Sequence, residues 1–218
     1  MTVEPQPTPK PAKPRLLQDG RDMFWSLAPL VIGCIVLAGM VGMCSIAPGR
    51  TNRGTVPSYD AASALRADAQ TLDFPIRLPH LPAGWQPNSG GRGGIEGGRT
   101  DLSTGKRANA ATSIVGYISP KGMYLSLTQS DADEGRLVGA VYPAHATVYP
   151  TGTVDVAGTS WIVYHSDDQG GSAAEPVWTT RLASPAGPTQ IAITGAGSTD
   201  EFRTLASATQ SQSPLPAS

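Results

Sequence analysis

Cysteine is nearly absent. The two in 218 residues, Cys34 and Cys44, both lie in one apolar segment. Everything after Cys44 is cysteine-free, which excludes a disulfide framework and a thiol nucleophile there. The pair is ten residues apart, about 15 Å along a helix, too far to bridge within one chain. Histidine is scarce too. His80, His145 and His165 have no metal-ligand spacing to one another or to a carboxylate, so no metal and no cofactor is expected. Catalytic motifs are missing as well: there is no Gly-x-Ser-x-Gly elbow. Gly105-Lys106 lacks the upstream glycine and the Ser/Thr of a phosphate loop. Asp131, Asp133 and Glu134 lack the glycine and distal glutamate of a calcium loop and read as a solvated helix start. His165-Ser166-Asp167-Asp168 sets triad residue types side by side, but strand neighbours point to opposite faces. The expectation is a protein without catalysis.

Charge is thin from Met23 to Ala47, where it vanishes altogether. Twenty-five uncharged residues make a helix of about 37 Å, enough to cross a hydrocarbon core of ~30 Å. The segment reads as one membrane span. Lys10, Lys13, Arg15 and Arg21 precede it closely, against Arg50 and Arg53 behind, which puts the N-terminus in the cytoplasm. Phe24 and Trp25 suit an interfacial anchor. Two rivals stand beside an uncleaved anchor. A cleaved secretory signal needs a shorter core and a better site than Ser45-Ile46-Ala47. A lipoprotein signal fits Val31-Ile32-Gly33 before Cys34, yet apolar residues continue beyond it. Ala38 and Gly42 have small-xxx-small spacing, a candidate helix-pairing strip.

Five prolines in the first fourteen positions mark residues 1–22 as a disordered cytoplasmic tail. Residues 48–57 form a tether of at most about 35 Å. The folded unit spans 58–210, followed by a frayed tail over 211–218. Within it Ser58 is expected to cap a helix over Tyr59–Leu72. Prolines hold Phe74–Pro82 extended. Six glycines make Asn88–Gly98 a loop or irregular hairpin. From Ala111 onwards the signature is strand: Ser113–Ser119 and Met123–Gln129 alternate around Pro120-Lys121-Gly122. A short helix is expected over Asp133–Tyr142. Strands follow at Thr153–Val156, Ser160–Ser166, Val177–Ala183 and Thr189–Thr194. Ser198-Thr199-Asp200-Glu201 is a capping box that opens a helix to about Gln210. The class is α+β: a mostly antiparallel sheet flanked by an N-terminal and a C-terminal helix, preceded by one transmembrane helix.

Four stretches, taken in order, are familiar together. Pro79-His80-Leu81-Pro82-Ala83-Gly84-Trp85 follows the apolar segment. Then come Val115-Gly116-Tyr117-Ile118-Ser119-Pro120, Val156-Ala157-Gly158-Thr159-Ser160-Trp161, and Thr194-Gly195 before the closing helix. This order resembles an actinobacterial membrane-anchored family known as domain of unknown function 4245, from the span to Ala208. The resemblance implies a single-pass envelope protein with no catalytic residues to carry over. The Leu-Pro-x-Gly-Trp turn is also similar to one in periplasmic sensor and lipoprotein-carrier domains with an open antiparallel sheet.

Charge is unevenly spread along the folded part. Residues 77–121 carry six basic side chains against two acidic, and residues 131–203 carry three against nine. Arg92, Arg99, Lys106 and Arg107 therefore stand out as candidate contacts to anionic headgroups or an acidic partner. Nucleic acid does not suit a domain that is acidic over most of its length. The expectation is a membrane-tethered, extracytoplasmic binding module with an envelope protein or lipid as partner. The alternative is a lipid or small-ligand carrier with an apolar groove on its sheet.

Overall fold

The computed structural model describes Trp25, 27–34, Val36, 58–142, 146–167 and 175–217. The chain divides into two compact units, Met1–Gly54 and Thr55–Ser218. In the first unit Trp25, residues 27–34 (α1) and Val36 are helical. Trp25, Leu30 and Ile32 expose most of their side chains. No helix among the described residues is long and apolar enough to cross a membrane. Most of the expected span at 23–47 lies outside those residues, as do 1–22 and 48–57.

The second unit is α+β. In chain order it runs α2 (Ala61–Ala69), β1 (Gln86–Thr100), β2 (Arg107–Ile118), β3 (Tyr124–Ser130) and α3 (Glu134–Val141). It continues with β4 (Thr147–Val156), β5 (Thr159–Asp167), β6 (Val177–Leu182), β7 (Thr189–Gly195) and α4 (Thr199–Gln210). The seven strands form one sheet in the order β1-β2-β3-β7-β6-β5-β4, antiparallel at every pairing. Two meanders, β1–β3 and β4–β7, thus meet at the β3–β7 seam, and α3 links them.

Alternation in the sequence decides which face each side chain takes. Val115, Leu127, Ile193, Trp178 and Val163 pair in a row across five strands. They belong to one core that Leu65 of α2 and Phe202 and Leu205 of α4 complete. Trp178 and Phe202 stack their rings at 5.2 Å, tilted by 39°. The opposite face holds a smaller cluster, in which Leu137 and Val138 of α3 cover Ala110, Val177 and Ala192. The central strand β7 is therefore buried on both faces, as a doubly covered strand must be. The hairpins expected at 113–129, 153–166 and 177–194 and the closing helix are all present, with boundaries moved by a few residues.

Three readings are corrected. The first concerns the helix cap: the helix starts at Ala61, with Asp60 as its cap accepting the Ser63 N–H at 3.0 Å. Tyr59 is drawn off instead, because its N–H bonds the Pro87 carbonyl at 3.1 Å. The second is the loop reading of the glycine-rich stretch: of its two alternatives the irregular hairpin holds, since the stretch is part of β1, paired with β2 from Gln86 to Thr100 around two register shifts. Glycine is required at position 90, where a Cβ would fall 2.3 Å from the Tyr59 ring. The third is the segment after α4, expected to fray. It runs back along the domain, and Leu215 donates its N–H to the Ile76 carbonyl at 2.8 Å and packs on the core.

Candidate functional site

The four basic candidates do not form a free positive patch. Arg92, midway along β1, pairs with the buried Asp68 of α2, which also accepts the Ser113 hydroxyl. Arg99 and Arg107 stand at the turn end of the β1–β2 hairpin. Arg99 Nε lies 3.2 Å from Asp131 and Arg107 Nη1 3.1 Å from Asp133. Lys106 makes no ion pair among the described residues. The acids that neutralise the arginines come from α2 and the β3–α3 connection. Sign segregation along the chain becomes pairing in space.

The histidines and their neighbours disperse likewise. His165 Nδ1 meets Thr151 Oγ1 at 2.9 Å, while Asp167 accepts the Tyr149 hydroxyl at 3.0 Å. His80 is exposed, and His145 and Asp168 lie outside the described residues. Among the described residues no group of three His, Cys, Asp or Glu is placed to hold a metal.

A groove forms elsewhere, where the proline-rich segment 74–87 meets α2. It encloses about 410 Å³ between Ala61 and Ala62 of α2, Leu78–Leu81, Trp85 and Leu215, with Tyr117 of β2 at its side. The segment is extended because Pro75, Pro79 and Pro82 deny it a helix, and side chains fasten it. Gln129 mimics a strand neighbour of Arg77, accepting its N–H and donating to its carbonyl, both at 2.8 Å. Thr189 Oγ1 donates to the Pro75 carbonyl at 2.6 Å. The His80 N–H reaches the Ala208 carbonyl at 3.3 Å.

Two buried polar atoms in this region lack a hydrogen-bond partner among the described residues: Arg77 Nη1 and the Tyr117 hydroxyl. The rest of the Arg77 guanidinium is used. Nε donates to the Gln212 carbonyl at 3.1 Å and Nη2 to the Ala183 carbonyl at 3.2 Å. The bond to Gln212 sets a cation just beyond the C-terminus of α4, where the helix dipole favours one. Burial pulls the Arg77 guanidinium below its ordinary range. Tyr117 is 2% exposed. Burial first, then the nearby Tyr59, pushes its phenol well above the ordinary range, so it is a neutral O–H at physiological pH. The mostly apolar lining of the recess suits an uncharged or amphipathic binding group better than an ion.

The family described as protein of unknown function (DUF4245) matches residues 15–209. The chain belongs to that family. No curated protein and no solved structure matches it. The DUF4245 match takes in the apolar segment and all seven strands of the sheet, and it stops short of Leu215. Of the stretches that carried the resemblance, Pro79–Trp85 forms a wall of the groove. Tyr117 borders the groove from β2, and Ala157-Gly158 is the β4–β5 turn. Sequence reasoning missed the unpaired hydroxyl of Tyr117. Leu215 carried one usable signal, a lone large apolar residue between Pro214 and Pro216.

Proposed function

We infer that this DUF4245 protein is a single-pass, membrane-anchored protein of the cell envelope whose C-terminal unit lies outside the membrane and binds a partner without catalysis. The uncharged run of 23–47 and the basic excess before it support the anchor and its direction. The groove beside Trp85 and Tyr117 carries the binding reading: it is concave and mostly apolar, as ligand sites usually are. A second reading, a carrier for a lipid or small apolar ligand, draws on the groove's volume of about 410 Å³, within the ~300–1,000 Å³ range of small-molecule sites.

The test is photo-crosslinking in the native envelope. The full-length chain carries a photoreactive residue in place of Ala62 on the groove wall, and adducts are identified by mass spectrometry. Protein adducts absent from a control with the label at Ser103 support the module, and lipid-sized adducts support the carrier. Identical adduct patterns at both positions would sink both readings. Direction is tested separately, by labelling Ser103→Cys in intact cells with a membrane-impermeant thiol reagent. Protection from the reagent until lysis would reverse the topology.

A further inference from the structure

Residues 211–217 lie as a strap along the groove, and Leu215 borders two separate spaces. One is the groove of about 410 Å³. The other, about 380 Å³, is bounded by Leu72, Phe74, Pro75 and Ala186. Both recesses are open to solvent, so the strap lies against the domain without filling the space beside Leu215.

It is also lightly held. Pro214 and Pro216 have no N–H to donate. Beyond Gln212, the Leu215 N–H to Ile76 is the one hydrogen bond the strap makes among the described residues. Tyr117, a residue of the groove's lining, is 2% exposed, and its buried hydroxyl has no partner among the described residues with the strap in place. A buried polar group left unpaired marks an imperfect fit.

We propose that the strap is a stand-in, seated in cis in a peptide-binding trough, and that the trough's partner is an extended segment of another protein presenting a leucine between prolines. The proposal rests on the reading of this unit as a binding module. The seat supplies the recognition elements: an apolar recess for the leucine, the Ile76 carbonyl for its N–H, and Trp85 beside a proline-lined wall. Proline-flanked segments are pre-ordered in an extended form, lose little entropy on docking, and favour aromatic-lined grooves. A longer segment would fill the space on both sides of the leucine. If it also brought a carbonyl to the Tyr117 hydroxyl, it would make the bond the strap leaves unmade.

Binding of a fluorescein-labelled peptide of residues 210–218 (QSQSPLPAS) to detergent-solubilised protein tests this. Three proteins are compared: the full chain, a chain ending after Ser211, and full-length Leu215→Ser, whose folding is checked by thermal melting. A cis occupant that leaves the trough open a tenth of the time or less weakens a competitor about 10-fold or more. The strapless chain and Leu215→Ser should therefore bind the peptide at least about 10-fold more tightly than the full chain. A peptide with aspartate in place of the leucine should not bind. Equal affinity for all three proteins, or no binding to folded Leu215→Ser, overturns the proposal. Capture of lysophosphatidylcholine instead of the peptide by the opened groove also overturns it, yet leaves a binding module standing. Peptide binding without any groove-specific crosslink in the envelope would do the reverse.

Discussion

One face of the sheet carries two helices and the other carries one, and the difference is chemical as well as geometric. Under α2 and α4, the strands present Trp161, Trp178, Leu125, Leu127, Ile191 and Ile193, all nearly or fully buried. Under α3 they present alanines and Val177, and the helix answers with Leu137 and Val138. Large side chains hold a helix by buried area, at ~25 cal/mol per Å². Small ones let α3 sit close but give it little to hold. The first face anchors the fold, and the second is a link between two meanders that has been given just enough apolar cover.

Mutations ranked by expected effect test that contrast. Phe202→Ala removes a fully buried ring stacked on Trp178 and should cost ~3–5 kcal/mol, seen as a large fall in the thermal midpoint. Leu137→Ala on the other face should cost about 2 kcal/mol, the low end for a buried leucine. Hydrogen exchange should show α3 loosening before the sheet does. Equal losses from the two changes would erase the distinction between the faces. Gly90→Ala forces a Cβ against the Tyr59 ring and should cost ~1–3 kcal/mol as overpacking, with the loss confined to the α2–β1 side.

The remaining two effects are smaller and differ in sign. Tyr117→Phe deletes a buried hydroxyl that has no partner, so the domain should gain about 1 kcal/mol and melt roughly 2–4 °C higher. A lower midpoint would mean the hydroxyl is bonded after all. Glu201 responds to pH. Its carboxylate accepts the Ser119 hydroxyl, then the Ser198 N–H at 2.7 Å, which together hold it below the ordinary carboxylate range. A group whose folded pKa is lowered stabilises the fold above its unfolded value and loses that contribution as pH falls through the folded value. Thermal midpoints should therefore drop on acidification below about pH 4.3, the ordinary glutamate value. Glu201→Gln should flatten part of that drop, and an unchanged slope would remove Glu201 from the account.

Legibility followed side-chain pattern. β3 could be read because Leu125 and Leu127 alternate with polar neighbours, and its hairpin because Pro120 and Gly122 suit a turn. The capping box could be read because Ser198 and Glu201 bond locally, and it is formed. β1 could not, since glycine has no side chain to alternate. Its strand character comes from the backbone of β2. The ion pairs of Arg92, Arg99 and Arg107 escaped the sequence for a related reason: local charge counts do not see Asp68, Asp131 and Asp133 arriving from elsewhere in the chain. The extended course of the segment that lines the groove could be read from its prolines, but the groove and the unpaired hydroxyl could not, because Tyr117 and a satisfied core tyrosine look alike in a strand.

The strand order has a consequence in time. Six residues of β3 pair with β7, from Leu125 with Gly195 to Ser130 with Gln190, across sixty to seventy positions of chain. Every other pairing joins strands consecutive in sequence. Local hairpins close early, and contacts between distant positions wait for the intervening chain. During synthesis the first meander therefore emerges with an open β3 edge and waits for β7, made at ~5–20 residues per second. For those seconds the nascent domain carries an unpaired apolar strand, a surface open to chaperones or to another copy of itself.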